Sequence, residues 1–553
     1  MTDETILDYL YHWEKTAPDT LHFVQPTGGG AVEEMTWSQI MDQVRRMAAH
    51  LKSLDFPPKS SIGLIGKNSA HWMMADWAIW MAGHITVPIY PTLNADTVSY
   101  ILGHSEARLL FIGKLDDWPS MAAGVAETLP RIALPLAPQV QARPWSEIIA
   151  TTDALTGEPK RDPGEMATIV YTSGSTGQPK GVMQSFGALL GAGHMFTNTL
   201  GLQSQDRVLS YLPLAHVMER AAIEMPSVIA GLEVYFAEAL DTFVEDLRRA
   251  RPTLFISVPR LWTKFEQAVE AKMPKKKQNF LFGIPILGGI VKKKILTQLG
   301  LQHVRYAGTG SAPLAQSTFN WYRSLGLELL EGYGMTEDCA VSHATDPGDV
   351  KLGYVGKPRP GVETRIADNG ELLVKSPGTM LGYYKEPEKT AEAFDADGFF
   401  KTGDMGAYDE QGRLRITGRV KELFKISKGK YVAPNPIENK LMAHPKLEVV
   451  CVAGANQPAT FALVVLSEGA RADLAAGQDR SIIEKELSQL MRKTNESLDP
   501  HEQMQFVVVV DEVWSIENGF LTPTMKIKRN VIEAHYADKI DSWFKQRTEV
   551  IWA

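Results

Sequence analysis

Three glycines, four aliphatic hydroxyls and one lysine fall within twelve residues, the string YTSGSTGQPKGV at 171–182. Gly174, Gly177 and Gly181 let the backbone take positive φ and approach an anion closely. Consecutive peptide N–H groups can then form a concave nest for phosphate oxygens. Thr172, Ser173, Ser175 and Thr176 add donors, and Lys180 adds a positive charge. Such a segment suits a polyphosphate. It is neither the G-x-x-x-x-G-K-[ST] loop nor a dinucleotide G-x-G-x-x-G fingerprint at the first strand; both are absent from the chain.

Further strings of small and chemically capable residues follow in order: SYLPLAHVMER at 210–220, YAGTGSAPL at 306–314, GYGMTE at 332–337, KTGD at 401–404, GRVKE at 418–422 and NGFLTPTMKIKR at 518–529. Together with the glycine loop they resemble the signature set of the adenylate-forming superfamily, in its bacterial long-chain fatty-acyl-CoA synthetase form. The resemblance runs from Thr36 to Arg529, nearly the whole chain. It implies that Thr172, Ser173, Gly174, Ser175, Thr176, Gly177 and Lys180 hold the phosphates of ATP. It further implies that Gly310, Ser311, Ala312 and Pro313 face the adenine, that Tyr333 and Gly334 border it with Tyr333 stacked, and that Thr336 bonds the α-phosphate. Thr176 and Glu337 would hold Mg²⁺, a hard cation that prefers oxygen ligands. Asp404 offers two oxygens to the ribose hydroxyls, and Arg419 would contact the same sugar. His216 would lie beside the carboxylate and the thiol channel, Lys526 would be the catalytic lysine with Lys528 as a nearby rival, and Lys421 would be the hinge. The TGS at 309–311 departs from the plainer glycine pair of many relatives, which leaves the adenine contact open.

The implied reaction needs these residue types. A carboxylate is a poor electrophile toward a thiol. Attack on the α-phosphate of ATP makes it a mixed anhydride with AMP as leaving group, and charge builds on phosphate oxygens. Lys526, Thr336, Glu337 with Mg²⁺ and the loop donors would stabilise that charge. No protein nucleophile is required. Coenzyme A would then take the acyl group, after a rotation of the C-terminal domain that withdraws Lys526.

The elements that must position these residues read as α/β. Apolar runs at 62–65, 167–171 and 254–258 suggest strands, and helical patterns at 69–81 and 260–271 follow such runs. After about Gly361, turn signals at 368–370, 395–398 and 409–412 divide short segments, as in a small β-rich subdomain. Strand patterns at 448–452, 461–466 and 505–510 and a polar helix at 481–495 read as a separate α+β unit. The expected division is an N-terminal adenylation domain, 1–418, and a smaller mobile C-terminal domain, 419–553.

Composition narrows the class. Apolar residues make up 44% and charged residues 22%, within the globular range. The formal net charge of −8 argues against nucleic acid as a partner. Only Cys339 and Cys451 are present, without metal-ligand spacing, so two packed thiols in a reducing cytoplasm are expected. The acidic start lacks a signal-peptide pattern, and no apolar run is long enough to span a bilayer. Residues 272–299 hold seven lysines and no acids around a mostly apolar stretch, 280–287. That pattern suits peripheral contact with an anionic membrane; the alternative is a solvated basic face over a buried loop. Two rival functions share the motifs or the fold: a fatty-acyl-AMP ligase that loads a carrier protein, and a non-catalytic nucleotide or acyl-chain binder.

Overall fold

The helix expected at 69–81 forms as Ala70–Met81, with the Ser69 side chain accepting from the Trp72 N–H as its N-cap. It carries three tryptophans and is apolar on every side, so it must lie between layers rather than on a surface; all of its residues are buried. The computed structural model, which describes residues 4–172, 178–312, 314–522 and 525–553, shows those layers.

Among the described residues, two large mixed sheets of nine and eight strands face this helix and its neighbours Trp37–Ser53 and Phe186–Leu200. One core joins them: Phe23, Val234 and Phe236 from the first sheet meet Ile62, Leu64 and Phe111 from the second around Trp37, Trp72 and Trp77. The strand runs expected from sequence lie within these sheets, at Ser61–Ile65, Met166–Thr172 and Leu254–Ser257. Strand Met166–Thr172 pairs antiparallel with Lys180–Ser185, with Thr172 opposite Lys180, so the two strands that flank the glycine loop form a hairpin. Gly382 and Tyr383 add an edge to the same hairpin, pairing with Met183 and Val182.

Beyond this lies an antiparallel four-stranded sheet, Glu363–Ile366, Glu371–Lys375, Phe400–Tyr408 and Leu414–Arg419, its turns at the Asn-Gly and Asp-x-x-Gly signals. A smaller C-terminal domain follows. Its sheet orders Leu447–Ala453, Thr460–Leu466, Met504–Val509 and Val550–Trp552 and buries Ile483, Leu487 and Met491 of helix Arg480–Asn495. The last strand has no strong sequence signal. Both cysteines are buried thiols. Among the described residues no helix is long and apolar enough to cross a membrane.

The segment 272–299 is two helices, Lys275–Phe282 and Leu287–Gln298. Its apolar stretch is split: Leu281, Phe282 and Ile284 are half-buried, whereas other side chains point outward. Phe280 is 70% and Ile286 85% exposed.

Candidate active site

The motif residues converge on one cavity of about 2050 Å³, which reaches from the two large sheets to the C-terminal domain. Thr172, Lys180, His216, Gly310, Ser311, Ala312, Tyr333, Gly334, Thr336, Glu337, Asp404, Arg419, Lys421 and Lys526 all line it. Ser173, Gly174, Ser175, Thr176, Gly177 and Pro313 lie outside the described residues.

At one end three side chains lock together. The Tyr333 hydroxyl donates to Asp404 Oδ2 at 2.7 Å, and Arg419 Nε donates to Asp404 Oδ1 at 2.7 Å. Each carboxylate oxygen thus holds one donor and keeps lone-pair capacity for another. The arrangement refines the sequence expectation. Asp404 is not an open fork; it is also the group that orients Tyr333 and Arg419. Burial, and then Asp404, push the Tyr333 phenol well above its usual value, so it stays a donor.

Glycine is required where Tyr333 leads into Thr336. A Cβ on Gly334 would lie 2.4 Å from the Ala340 carbonyl carbon. The chain doubles back there: Cys339 and Ala340 take left-handed φ of 54° and 59°, and Asp338 Oδ1 accepts from the N–H groups of Met335 and Ala340 at 2.8 and 3.0 Å. Burial pushes the Asp338 carboxyl up to about 7. Gln184 Nε2 donates to the Thr336 carbonyl at 2.6 Å, tying this turn to the glycine-loop hairpin. Next to it Ser311 has φ 68°, and a Cβ on Gly310 would come within 3.2 Å of the Gly332 carbonyl oxygen. The two loops therefore pack backbone to backbone at the cavity wall.

Lys180 and Glu337 are joined by a residue the motifs did not reveal. The Lys180 ammonium stands 4.8 Å above the Tyr383 ring, and the Tyr383 hydroxyl donates to Glu337 Oε1 at 2.9 Å. Among the described residues there is no cluster of three or more His, Cys, Asp or Glu able to hold a metal. A single carboxylate beside a phosphate site is the donor set that suits Mg²⁺, which is held largely by phosphate oxygens and water. Glu337 fits that pattern.

His216 caps the short helix Val217–Glu219, its Nδ1 accepting from the Met218 N–H at 3.1 Å. Burial, with the nearby Lys526 charge, lowers its pKa to about 4. The ring is therefore neutral at pH 7, and with Nδ1 accepting, the proton sits on Nε2. Asn68 and Glu219 hold the loop before it: Asn68 Nδ2 donates to Ser210 Oγ at 2.8 Å and to the Leu212 carbonyl at 2.7 Å, and the Tyr211 N–H donates to Glu219 Oε1 at 3.1 Å. Arg220 is fully buried against Asp76 and Glu224 and donates to Thr168 Oγ1 at 2.8 Å, fixing this segment to the strand that leads into the glycine loop. Asn68, Asp76 and Tyr383 had no sequence signal.

Lys526 arrives from the C-terminal domain, its N–H donating to Thr522 Oγ1 at 3.1 Å. The lysine is exposed into the cavity, with protein groups crowded around it. Burial, and then Arg419, lower its pKa, while Asp404, Glu422 and Glu337 oppose the shift. Across the domains, Arg260 also donates to Glu448 Oε1 at 2.5 Å.

The cavity has an apolar compartment. Ile256, Gly308 and Leu330 lie in register on adjacent strands and so face the same side. With Leu254 they line the cavity opposite Met195, Phe196 and Leu200 of helix Phe186–Leu200.

Comparison with known proteins agrees with this architecture. Residues 10–384 match the AMP-binding enzyme family, and residues 422–548 match the AMP-binding enzyme C-terminal domain. A long-chain-fatty-acid–CoA ligase of Mycobacterium bovis is 30% identical, over 98% of this chain and 97% of its own. A peroxisomal long chain acyl-CoA synthetase of Arabidopsis thaliana is 31% identical, over 94% of this chain and 82% of its own. The adenylation domain of a carboxylic acid reductase from Segniliparus rugosus, solved with AMP and a co-purified carboxylic acid, shares the fold at a TM-score of 0.81 and 22% identity, over 99% of this chain and 95% of that one. With the family models matched in order along both parts of the chain, and relatives aligned nearly end to end, this protein belongs to the AMP-binding enzyme family.

Proposed function

We propose that this enzyme activates a medium- to long-chain fatty acid with ATP to an acyl-adenylate and passes the acyl group to coenzyme A, releasing AMP and pyrophosphate. The observation that carries this reading is the joining of two compartments in one cavity. One end holds the Tyr333–Asp404–Arg419 network and the Lys180, Glu337 and Lys526 charges, and the other is walled by apolar side chains. Relatives aligned over nearly their full length are named as CoA ligases, which favours CoA over a carrier protein as acceptor. The charges at the reacting end, spread over three sequence-distant segments, count against a non-catalytic binder.

Roles follow from position. Asp404 and Arg419 hold the ribose, and Tyr333 presents its ring to the adenine. Thr336 donates to the α-phosphate. Lys180, with the glycine-loop donors Thr172 to Gly177, takes the remaining phosphates, and Glu337 with Thr176 would hold Mg²⁺, which neutralises phosphate charge when bound. Neutral His216 donates from Nε2 to the acid or to its carbonyl oxygen, while the Lys526 ammonium stabilises charge on the phosphate as the anhydride forms. Lys526 must then leave for the thiol to enter. We assign that movement to rotation of the C-terminal domain beyond Lys421, in the short helical turn Val420–Glu422; Arg419 ends the last strand of the four-stranded sheet and stays paired with Asp404. Contact with an anionic membrane through 272–299 belongs to the same reading.

The test is pyrophosphate release from ATP and Mg²⁺ across acids of increasing length, with and without CoA. Chain-length-dependent release that turns over only with CoA is expected. Release that stalls after one turnover despite CoA means a different acceptor.

A further inference from the structure

The helical hairpin at 275–298 has two faces. On the inner face Gln278 and Ile295 are buried, Trp321 Nε1 donates to Gln278 Oε1 at 2.8 Å, and Phe282, Val291 and Leu296 pack on the core of the adjoining layer. A Cβ on Gly288 would stand 2.6 Å from the Phe282 carbonyl oxygen, so the two helices are pressed together. The hairpin is thus a fixed part of the fold. Its outer face is the opposite: Phe280, Ile286, Leu287 and Ile290 are 70, 85, 41 and 59% exposed. Four large apolar side chains gathered at one tip mark an interaction surface rather than the usual scatter.

Charge identifies the occupant. Lys276, Lys277, Lys293 and Lys294 are exposed beside this tip, and none forms an ion pair among the described residues; only Lys275 is paired, with Glu266 and Glu270. Residues 272–299 carry seven lysines and no acid, whereas the whole chain carries −8, so the remainder of the chain stands at −15. This segment is strongly basic within an otherwise acidic chain, so it is drawn to an anionic surface. Two copies meeting tip to tip would bring like charges together.

We infer that Phe280, Ile286, Leu287 and Ile290 enter the interface of an anionic lipid bilayer while Lys276, Lys277, Lys293 and Lys294 bind its headgroups. The inference rests on the fatty-acid activity proposed above, because a sparingly soluble acid is concentrated in such a bilayer. Each lysine near an anionic surface contributes roughly fivefold to partitioning at low salt.

The test is sedimentation of the full chain with vesicles of phosphatidylcholine alone or mixed with phosphatidylglycerol, without ATP, acid or CoA. The wild type is expected to partition at least ~10-fold better into the phosphatidylglycerol vesicles. Replacing all four lysines by glutamine (Lys276→Gln, Lys277→Gln, Lys293→Gln, Lys294→Gln) is expected to remove that preference. A Phe280→Ser, Ile286→Ser, Leu287→Ser, Ile290→Ser variant is expected to bind neither vesicle, with its thermal midpoint and its turnover of a water-soluble acid unchanged. Equal binding to both vesicles, or unaltered binding by the lysine variant, overturns the inference. A wild-type dimer that the serine variant dissolves without loss of vesicle binding overturns it in favour of contact between copies. Intact vesicle binding with no ligase activity would sink the proposed activity and leave the surface, and the reverse result would sink the surface alone.

Discussion

The two ends of the cavity are built differently. The nucleoside end belongs to the large domain and is closed by direct hydrogen bonds: Tyr333 and Arg419 each spend a donor on Asp404, and Gly334 lies against Ala340 with no room for a methyl group. The other end holds Lys526, carried in by the C-terminal domain, with the Arg260–Glu448 ion pair at the domain boundary. On the proposed function, the first end would hold one ligand through both half-reactions, and the second would be withdrawn between them.

The sharpest way to break this contrast is Lys526→Ala. Loss of a charge-stabilising donor costs roughly a hundred- to a thousandfold in rate. The loss is expected in ATP–pyrophosphate exchange, whereas thioester formation from supplied acyl-adenylate should change less than ~3-fold. Equal losses in both would mean that the lysine never leaves. Asp404→Ala tests the fixed end. It leaves two donors without their acceptor, and hydrogen bonds to charged groups are worth about 1.5–3 kcal/mol. The KM for ATP should rise roughly 10- to 100-fold by that energy, with the KM for the acid unmoved. A change in both constants would merge the two ends into one. Gly334→Ala should cost about 1–3 kcal/mol by overpacking, read as a lowered thermal midpoint and weakened ATP binding in calorimetry.

His216 sharpens the comparison through pH. Its folded value of about 4 lies below the unfolded value of about 6.5, so the unfolded chain binds the proton more tightly. Stability is therefore lost as the pH falls from about 6.5, with the full cost present below about 4. His216→Gln, which keeps an acceptor for the Met218 N–H, should shift the acid-unfolding midpoint downward. An unchanged midpoint would mean that the histidine is already charged in the folded enzyme. Smallest is Arg260→Ala. The pair is half exposed on the arginine side, and such pairs contribute about 0.2–1 kcal/mol. Adenylation should fall by no more than ~5-fold relative to thioester formation in single-turnover assays.

Much of this was legible in the chain because phosphate and ribose recognition concentrates in short strings whose glycines and charges are local requirements. The strand and helix runs were legible for the same reason: periodicity is local. What was not legible needs distance. Tyr383 has no motif, yet it bridges Lys180 and Glu337. Asp404 reads as a free acceptor until the fold sets Tyr333 against it. The apolar compartment exists only once strands from 254 to 333 are aligned beside helix Phe186–Leu200. The lysine clusters were visible, but exposure of Phe280 and Ile286 depends on which face of a hairpin the core claims.

The link from Gln184 to Thr336 spans 152 residues, and the edge strand at Gly382–Tyr383 closes onto the glycine-loop hairpin from still farther along the chain. During synthesis the hairpin therefore emerges long before its partners, with an unpaired edge. Contacts of such separation form late and slowly. A nascent chain that ends before Tyr383 would carry the glycine loop with the edge of its hairpin unpaired, and an unpaired edge is open to aggregation while it waits.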